Sequence, residues 1–131
     1  MKTLKLDLNK LPIGIEVKTR KGFIWKQVKR GTWLDVSSGL TWLPIEPKQY
    51  THHEAMALET KSKHLPTKAD FEQAELHGIR EVVNCFKKWF WSSSINPNNS
   101  SLAFVFDGGG GDFGYYDYRN INYSVRCVSR L

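Results

Sequence analysis

Segments that alternate apolar and polar residues lie on either side of a middle section with helical spacing, and this order constrains the fold most. Residues 4–8 and 13–17 place an apolar side chain at every second position, a period that is typical of strands. Residues 71–86 instead repeat apolar side chains at spacings of two to four, near the helical period. Strands followed by helices and then by strands predict an α+β domain rather than a series of βαβ units.

Turn residues predict two hairpins in the first half of the chain. Residues 20–22 contain Arg-Lys-Gly between the strand at 13–17 and a return strand that begins at Phe23. Residues 37–39 contain Ser-Ser-Gly between extended segments at 32–35 and 40–43. Pro44 and Pro47 are expected to end the last of these strands, because proline cannot donate a hydrogen bond to a sheet ladder.

Two capping signals predict where helices begin. Thr51 is followed three residues later by Glu54, and Thr67 is followed at the same spacing by Asp70. Gly78 interrupts the apolar spacing of the second helix and can divide it in two. Strands are expected again at 102–106 and 124–128.

The length of 131 residues fits a single domain over 1–131, with enough chain to bury a core. The 40% apolar and 13% aromatic content excludes a disordered tail, and no segment approaches the roughly 20 apolar residues of a membrane-spanning helix. The first residues alternate apolar and polar side chains, which does not fit the continuous apolar segment of a secretory signal. We therefore expect a cytoplasmic protein that does not associate with membranes. The oligomeric state stays open.

The excess positive charge lies at the N-terminal end. Residues 1–30 contain nine basic and two acidic side chains, a net charge of +7, whereas residues 31–131 contain ten basic and eleven acidic ones. Such a segment attracts nucleic acid or an acidic protein face, or it forms a solvated surface. The candidate basic patch consists of Lys18, Arg20, Lys21, Lys26, Lys29 and Arg30.

Four short motifs follow one another in the remaining chain. They read WLDVSSGLTW at 33–42, LPTKADF at 65–71, FWSSS at 90–94 and VRCV at 125–128. Together they resemble the domain of unknown function at the C-terminus of the Legionella collagen-like adhesin, over residues 31–131. That family is similar to the formylglycine-generating-enzyme branch of the C-type lectin fold. The resemblance therefore implies a compact C-type lectin-like core, with two helices on a small, mainly antiparallel sheet, after the N-terminal basic hairpin at 1–30.

The sequence departs from the family pattern at two places. The usual Trp-Arg pair before Leu65 is replaced by Lys63 and His64, and the cysteine often found in the first helix is absent. Cys85 and Cys127 are expected to be buried, inert thiols in a cytosolic protein.

No set of residues in the sequence predicts catalysis, a cofactor or a metal. His52 and His53 are adjacent and would not share a helix face, so we expect exposed or locally bonded histidines. The glycine-rich segment at 107–112 lacks the Lys-Ser/Thr of a phosphate loop and carries two aspartates, which indicates a flexible turn.

The segment at 107–124 is rich in Tyr, Gly, Asn and Asp, the chemistry of antibody-like binding loops, although it could equally be a loop packed on its own sheet. Trp33, Trp42 and Trp91 are expected mainly in the core. The sequence predicts a non-catalytic module that recognises a macromolecule, and we expect a protein partner. Such a module could be a phage or mobile-element inhibitor or a subunit of a larger assembly. Binding of nucleic acid or ribonucleoprotein through the basic hairpin, and a formylglycine-generating type of thiol oxidase, are the alternatives. The candidate partner-binding residues are Trp91, Asn98, Tyr115, Tyr116, Tyr118, Arg119 and Tyr123.

Overall fold

Strands dominate the computed structural model, which describes residues 12–83, 88–112 and 115–130. The strands are β1 (Glu16–Lys18), β2 (Ile24–Lys29), β3 (Thr32–Asp35), β4 (Leu40–Ile45), β5 (Trp89–Ile95), β6 (Leu102–Asp107), β7 (Tyr115–Tyr118) and β8 (Arg126–Ser129). The helices are α1 (His52–Met56), α2 (Lys68–Leu76) and α3 (Ile79–Val82). This mixture confirms an α+β type of domain with more strand than helix.

The strands form two antiparallel sheets instead of the single small sheet that was expected. The larger sheet has the order β1-β2-β3-β4-β8, and the smaller one has the order β5-β6-β7. A parallel bridge between Phe90 and Ser124 links the small sheet to the segment before β8. The predicted hairpins at β1–β2 and β3–β4 are confirmed, whereas the predicted strand at 4–8 lies outside the described residues.

Of the two prolines expected to end strand β4, Pro44 lies inside it and Pro47 follows its end. Strand β4 continues to Ile45, and its pairing with β8 shifts register between Trp42 and Ile45. The shift lets the chain accommodate a residue without an N–H at the place where regular pairing is interrupted.

Both predicted helix starts are confirmed as capping boxes. The Thr51 and Thr67 hydroxyls accept hydrogen bonds from the backbone N–H groups of Glu54 and Asp70, whose carboxylates bond back to the cap residues. Gly78 has a φ of +86° and separates α2 from α3, so the described residues contain three short helices instead of two. None of the described helices has the length and apolar character needed to cross a bilayer.

The small sheet lies between two hydrophobic cores. Phe90 and Phe106 belong to the first core, with Trp33, Trp42 and Phe71. On the opposite face the second core is formed by Ala55, Leu65, Trp91, Ala103, Val105, Val125 and Cys127. The prediction that Trp33, Trp42 and Trp91 are core residues is confirmed, since all three are at most 1% exposed.

A buried polar junction joins the large sheet to the end of α2. The Nδ1 atom of His77 lies 2.5 Å from Oδ2 of Asp35, and both side chains are buried. The indole N–H of Trp25 donates to the backbone carbonyl of His77 at 2.8 Å, and the ring of Phe23 stacks on the imidazole. This junction positions Gly78 against the first hairpin.

Substituting Gly78 with alanine should destabilise the protein more than the same change at Gly39. Both residues have positive φ, so each substitution carries a backbone penalty of about 1–2 kcal/mol. A Cβ at position 78 would also lie 2.7 Å from Cγ2 of Thr19, whereas nothing lies within 4 Å at position 39. We expect Gly78→Ala to lower the free energy of unfolding by at least about 1 kcal/mol more than Gly39→Ala, measured by urea denaturation. Equal losses would contradict the close packing of Gly78.

Candidate functional site

Strand β7 lies at the edge of the small sheet and carries three exposed tyrosines. Tyr115, Tyr116 and Tyr118 are 47%, 49% and 58% exposed, the largest aromatic exposure among the described residues. Within those residues β7 pairs with β6 alone. Large aromatic rings exposed together at one edge are the features expected of an interaction surface.

Strand alternation divides these tyrosines between the two faces of the sheet. Tyr115 stacks on Trp89, with 5.2 Å between ring centroids, and Trp89 also stacks on Tyr123. Tyr116 instead makes an edge contact with Phe104 on the opposite face, and Tyr118 shares that face by alternation. The candidate residues therefore surround an edge strand and do not form one flat patch.

Two of the four outward backbone groups of β7 are already hydrogen bonded. The N–H of Arg119 donates to the carbonyl of Ser101, so residues 115, 117 and 119 face β6 and the backbone of Tyr116 and Tyr118 faces outward. The N–H of Tyr118 donates to the Asp117 carboxylate, and the carbonyl of Tyr118 accepts from the N–H of Ile121. The edge thus offers a partner its side chains rather than a continuous ladder for an added strand.

Asp117 links β7 to the segment before β8. Its Oδ2 accepts a hydrogen bond from the Tyr123 hydroxyl at 2.5 Å. Burial, reinforced by this hydrogen bond to a carboxylate, raises the pKa of Tyr123 to about 12. Tyr123 is half-buried and supports the rings beside it, so only part of it is available to a partner.

Trp91 lies beneath this surface and does not belong to it, which corrects its assignment as a partner-binding residue. Its ring is fully buried, and its N–H donates to the carbonyl of Tyr50 at 2.9 Å. The rings of Tyr123 and His52 make T-shaped contacts with the Trp91 ring, at centroid distances of 5.0 and 5.1 Å. Trp91 therefore supports both residues from the second core.

His52 is a buried part of the site that the sequence analysis missed. Its Nε2 lies 2.9 Å from the carbonyl of Ser92, and its Nδ1 lies 3.0 Å from Nε of Arg119. Because a guanidinium only donates, Nδ1 must accept and the proton must be on Nε2, which makes the imidazole neutral. Thr51 as N-cap places His52 and Ala55 one turn apart on the inward face, and this spacing was the available signal.

Arg119 joins the edge strand to α1 and to the β5–β6 turn. Its carbonyl accepts from the His52 N–H, and its Nη1 makes a long contact of 3.5 Å with the carbonyl of Ser100. Asn98 is exposed in the same turn, where its backbone N–H bonds to the side chain of Asn96. A shallow depression on this surface is lined by Thr51, His53, Arg119 and Asn120.

The glycine-rich turn after β6 is extensively hydrogen bonded, although the sequence indicated a flexible turn. Oδ1 of Asp107 accepts from the N–H groups of Gly109 and Gly110. Arg80 donates to the carbonyl of Gly109 and forms an ion pair with Glu75. A Cβ at Gly111 would collide with this pair, so the turn is seated on α2 and α3.

The basic patch follows the first hairpin and extends over both ends of β2. Arg20 and Lys21 lie in the β1–β2 turn, and Lys29 and Arg30 lie at the β2–β3 turn, roughly 20 Å away along a six-residue strand. Lys18 is exposed and Lys26 is half-buried between them. None of these six side chains forms an ion pair with another described residue.

Cys127 is a free, buried thiol in the second core, and burial raises its pKa to about 11. A thiol with this pKa is almost entirely protonated near neutral pH and is a poor nucleophile. The predicted thiol at Cys85 lies outside the described residues.

No protein-family model matches this chain, and no curated protein matches it significantly. The resemblance based on the four motifs therefore stays a prediction, and the geometry of the site carries the functional argument.

Protonation of His52 should destabilise the folded protein. Burial lowers the pKa of His52 below 6.5, with Arg119 and His53 acting in the same direction and the Ser92 carbonyl opposing them. As the pH falls below 6.5, this histidine is protonated in the unfolded chain before it is protonated in the folded protein. The stability that the neutral His52 imidazole contributes is therefore lost as the pH falls towards the pKa of His52 in the folded protein. The free energy of unfolding, measured by urea denaturation, should therefore depend less on pH in His52→Gln than in the wild type. His53→Gln, at an exposed neighbour, is the control, and an unchanged pH dependence in His52→Gln would contradict the neutral imidazole.

Proposed function

We propose that this protein is a non-catalytic recognition module that binds a protein partner around strand β7. The observation that carries the proposal is the presence of three roughly half-exposed tyrosines on one edge strand. We define the β7 surface as Tyr115, Tyr116, Tyr118 and Arg119, with the adjoining turn at Asn98.

The support beneath these rings favours recognition over a loosely packed loop. Tyr115 and Tyr116 are held by Trp89 and Phe104 on the two faces of the sheet. Arg119 is held by His52. Side chains that are already positioned lose less conformational freedom when a partner binds, so more of the contact energy contributes to affinity. Tyrosine and arginine are also the residue types enriched at interface hot spots.

The edge geometry indicates a groove or cleft on the partner. A flat partner surface would contact the rings on one face of β7 alone, because Tyr115 and Tyr116 point to opposite faces. A concave surface that encloses the edge would contact both sets of rings. An inhibitor that enters a cleft of a host protein, or a subunit of a larger assembly, would use the edge in this way.

For the fold, we propose a C-type lectin-like arrangement related to the domain of the Legionella collagen-like adhesin. Its support consists of the four motifs and their order. In this structure the first motif forms β3 and β4, the second begins α2, the third lies in β5, and the last leads into β8. The match of each motif to a strand or a helix start is compatible with the proposal.

Alanine substitutions on the β7 surface should weaken partner binding without unfolding the protein. Affinity purification of the tagged protein from its native cell, with a photo-crosslinking residue at position 118, identifies the partner. We then expect Tyr116→Ala with Tyr118→Ala to reduce affinity at least about 30-fold, since loss of a hot-spot residue costs about 2 kcal/mol or more. Tyr115→Ala tests the opposite face, and calorimetry measures both variants.

Val36→Ala is the matched control, because Val36 is 45% exposed in the β3–β4 turn. Tyr116→Phe with Tyr118→Phe keeps the rings and separates ring contact from hydroxyl contact. Unchanged affinity in all the alanine variants at β7 would remove this surface as the binding site.

The basic patch supports a second candidate function, the binding of nucleic acid or ribonucleoprotein. Its six cations lie along one hairpin without ion pairs among the described residues, which leaves them available to phosphates.

If the patch binds nucleic acid, affinity for short duplex DNA or RNA should fall steeply with salt. Six phosphate contacts predict a loss of about 1,000-fold between roughly 50 and 200 mM salt. Replacing Arg20, Lys21, Lys29 and Arg30 with alanine should flatten this dependence in fluorescence anisotropy. Lys48→Ala with Lys61→Ala, exposed outside the hairpin, removes two charges and is the control for the double variant Arg20→Ala with Lys21→Ala. An affinity that hardly changes with salt would exclude this function.

A further inference from the structure

Arg119 is a half-buried cation, and the hydrogen-bond acceptors that the described residues offer its side chain are neutral. Its Nε donates to the imidazole of His52, and its Nη1 contacts the carbonyl of Ser100. In the described part of the chain, no carboxylate lies within ion-pair distance of this guanidinium. Arg80 and Arg130 differ in this respect, since each is paired with a carboxylate.

The two carboxylates closest to Arg119 along β7 and α1 already have partners. Asp117 accepts from the N–H of Tyr118 and from the hydroxyl of Tyr123. Glu54 accepts from the N–H of Thr51, and this bond lowers the pKa of Glu54. Among the residues that the structure describes, neither carboxylate therefore forms an ion pair with the guanidinium.

Arg119 also lines the open depression described above. His53 and Asn120, which are both exposed, line the same depression. A guanidinium presents two parallel N–H groups along one edge, which match the two oxygens of a carboxylate. An amide beside it can donate a third hydrogen bond.

We propose that the depression at Arg119, His53 and Asn120 binds a carboxylate, supplied by an acidic side chain of the protein partner. This inference rests on the proposed function and adds the chemistry of one contact. A single cation that is permanently charged matches the single charge of a carboxylate. A phosphate group carries about −1.5 to −2 and normally meets several cations, as the basic hairpin would provide.

His52 acts here as a positioning residue. Its neutral imidazole holds Nε of Arg119 from the protein side, and the carbonyl of Ser92 and the ring of Trp91 hold the imidazole. The guanidinium is therefore oriented before any ligand arrives, which reduces the entropy lost on binding.

Acetate, a carboxylate without any further recognition group, is the probe for the test. An NMR titration at constant ionic strength should give saturable shifts of the Arg119 Nε–H and the Asn120 side-chain amide, and none at Arg80, which Glu75 occupies. Acetamide, chloride and inorganic phosphate are titrated in parallel. Arg119→Lys keeps the charge without the planar pair of donors and should weaken acetate binding at least about tenfold.

Asn120→Asp provides a second variant in case Arg119→Lys disturbs the fold. It replaces one exposed side chain with one of nearly the same shape. The new carboxylate should either pair with Arg119 or repel acetate, and both effects should abolish acetate binding. Gln73→Glu has the same change of net charge on α2, against the opposite face of the small sheet, and should leave acetate binding unchanged.

Shifts that are linear in acetate, or that acetamide or chloride reproduce, would overturn the proposal, and so would tighter binding of phosphate than of acetate. If acetate fails to bind while Tyr116→Ala with Tyr118→Ala still weakens partner binding, the carboxylate site is wrong and the β7 surface stands. If acetate binds while those tyrosine variants bind the partner normally, the proposed function of β7 fails although the site exists.

Discussion

The alternation of Phe90 and Trp91 along β5 is the constraint on which the rest of the structure depends. Adjacent residues in a strand point to opposite faces, so these two rings enter the two different cores. The small sheet is therefore covered on both sides, and its outer strand β7 is the place where aromatic residues can reach solvent. Loss of the Trp91 ring would remove support from His52 and Tyr123 together, because both rings pack against it.

Hydrogen bonds around Trp91 determine which polar groups strand β7 presents at the edge of the small sheet. His52 orients Arg119 from below, and Asp117 occupies the outward N–H of Tyr118 and the hydroxyl of Tyr123. These bonds satisfy groups that would otherwise be buried or would pair with another strand. The same bonds that stabilise the edge thus leave the rings of Tyr115, Tyr116 and Tyr118 exposed.

Local features of the fold were predictable from the sequence, whereas several longer-range ones were not. The caps at Thr51 and Thr67 and the break at Gly78 depend on residues within four positions of each other, and the structure confirms them. The continuation of β4 through Pro44 depends on its register with β8, and no local pattern reveals that register. The second sheet was missed for the same reason, since sheet membership depends on pairing between distant segments.

The sequence alone was enough to locate the aromatic segment, the basic hairpin and the helix starts, because composition and short-range hydrogen bonding set them. Which of these residues meet was decided by packing. His52 contacts Ser92 across 40 positions and Arg119 across 67. The division of the tyrosines between two faces follows from how β6 and β7 pair above the second core. Such contacts form only when the sheets and helices come together, so spacing along the chain does not predict them.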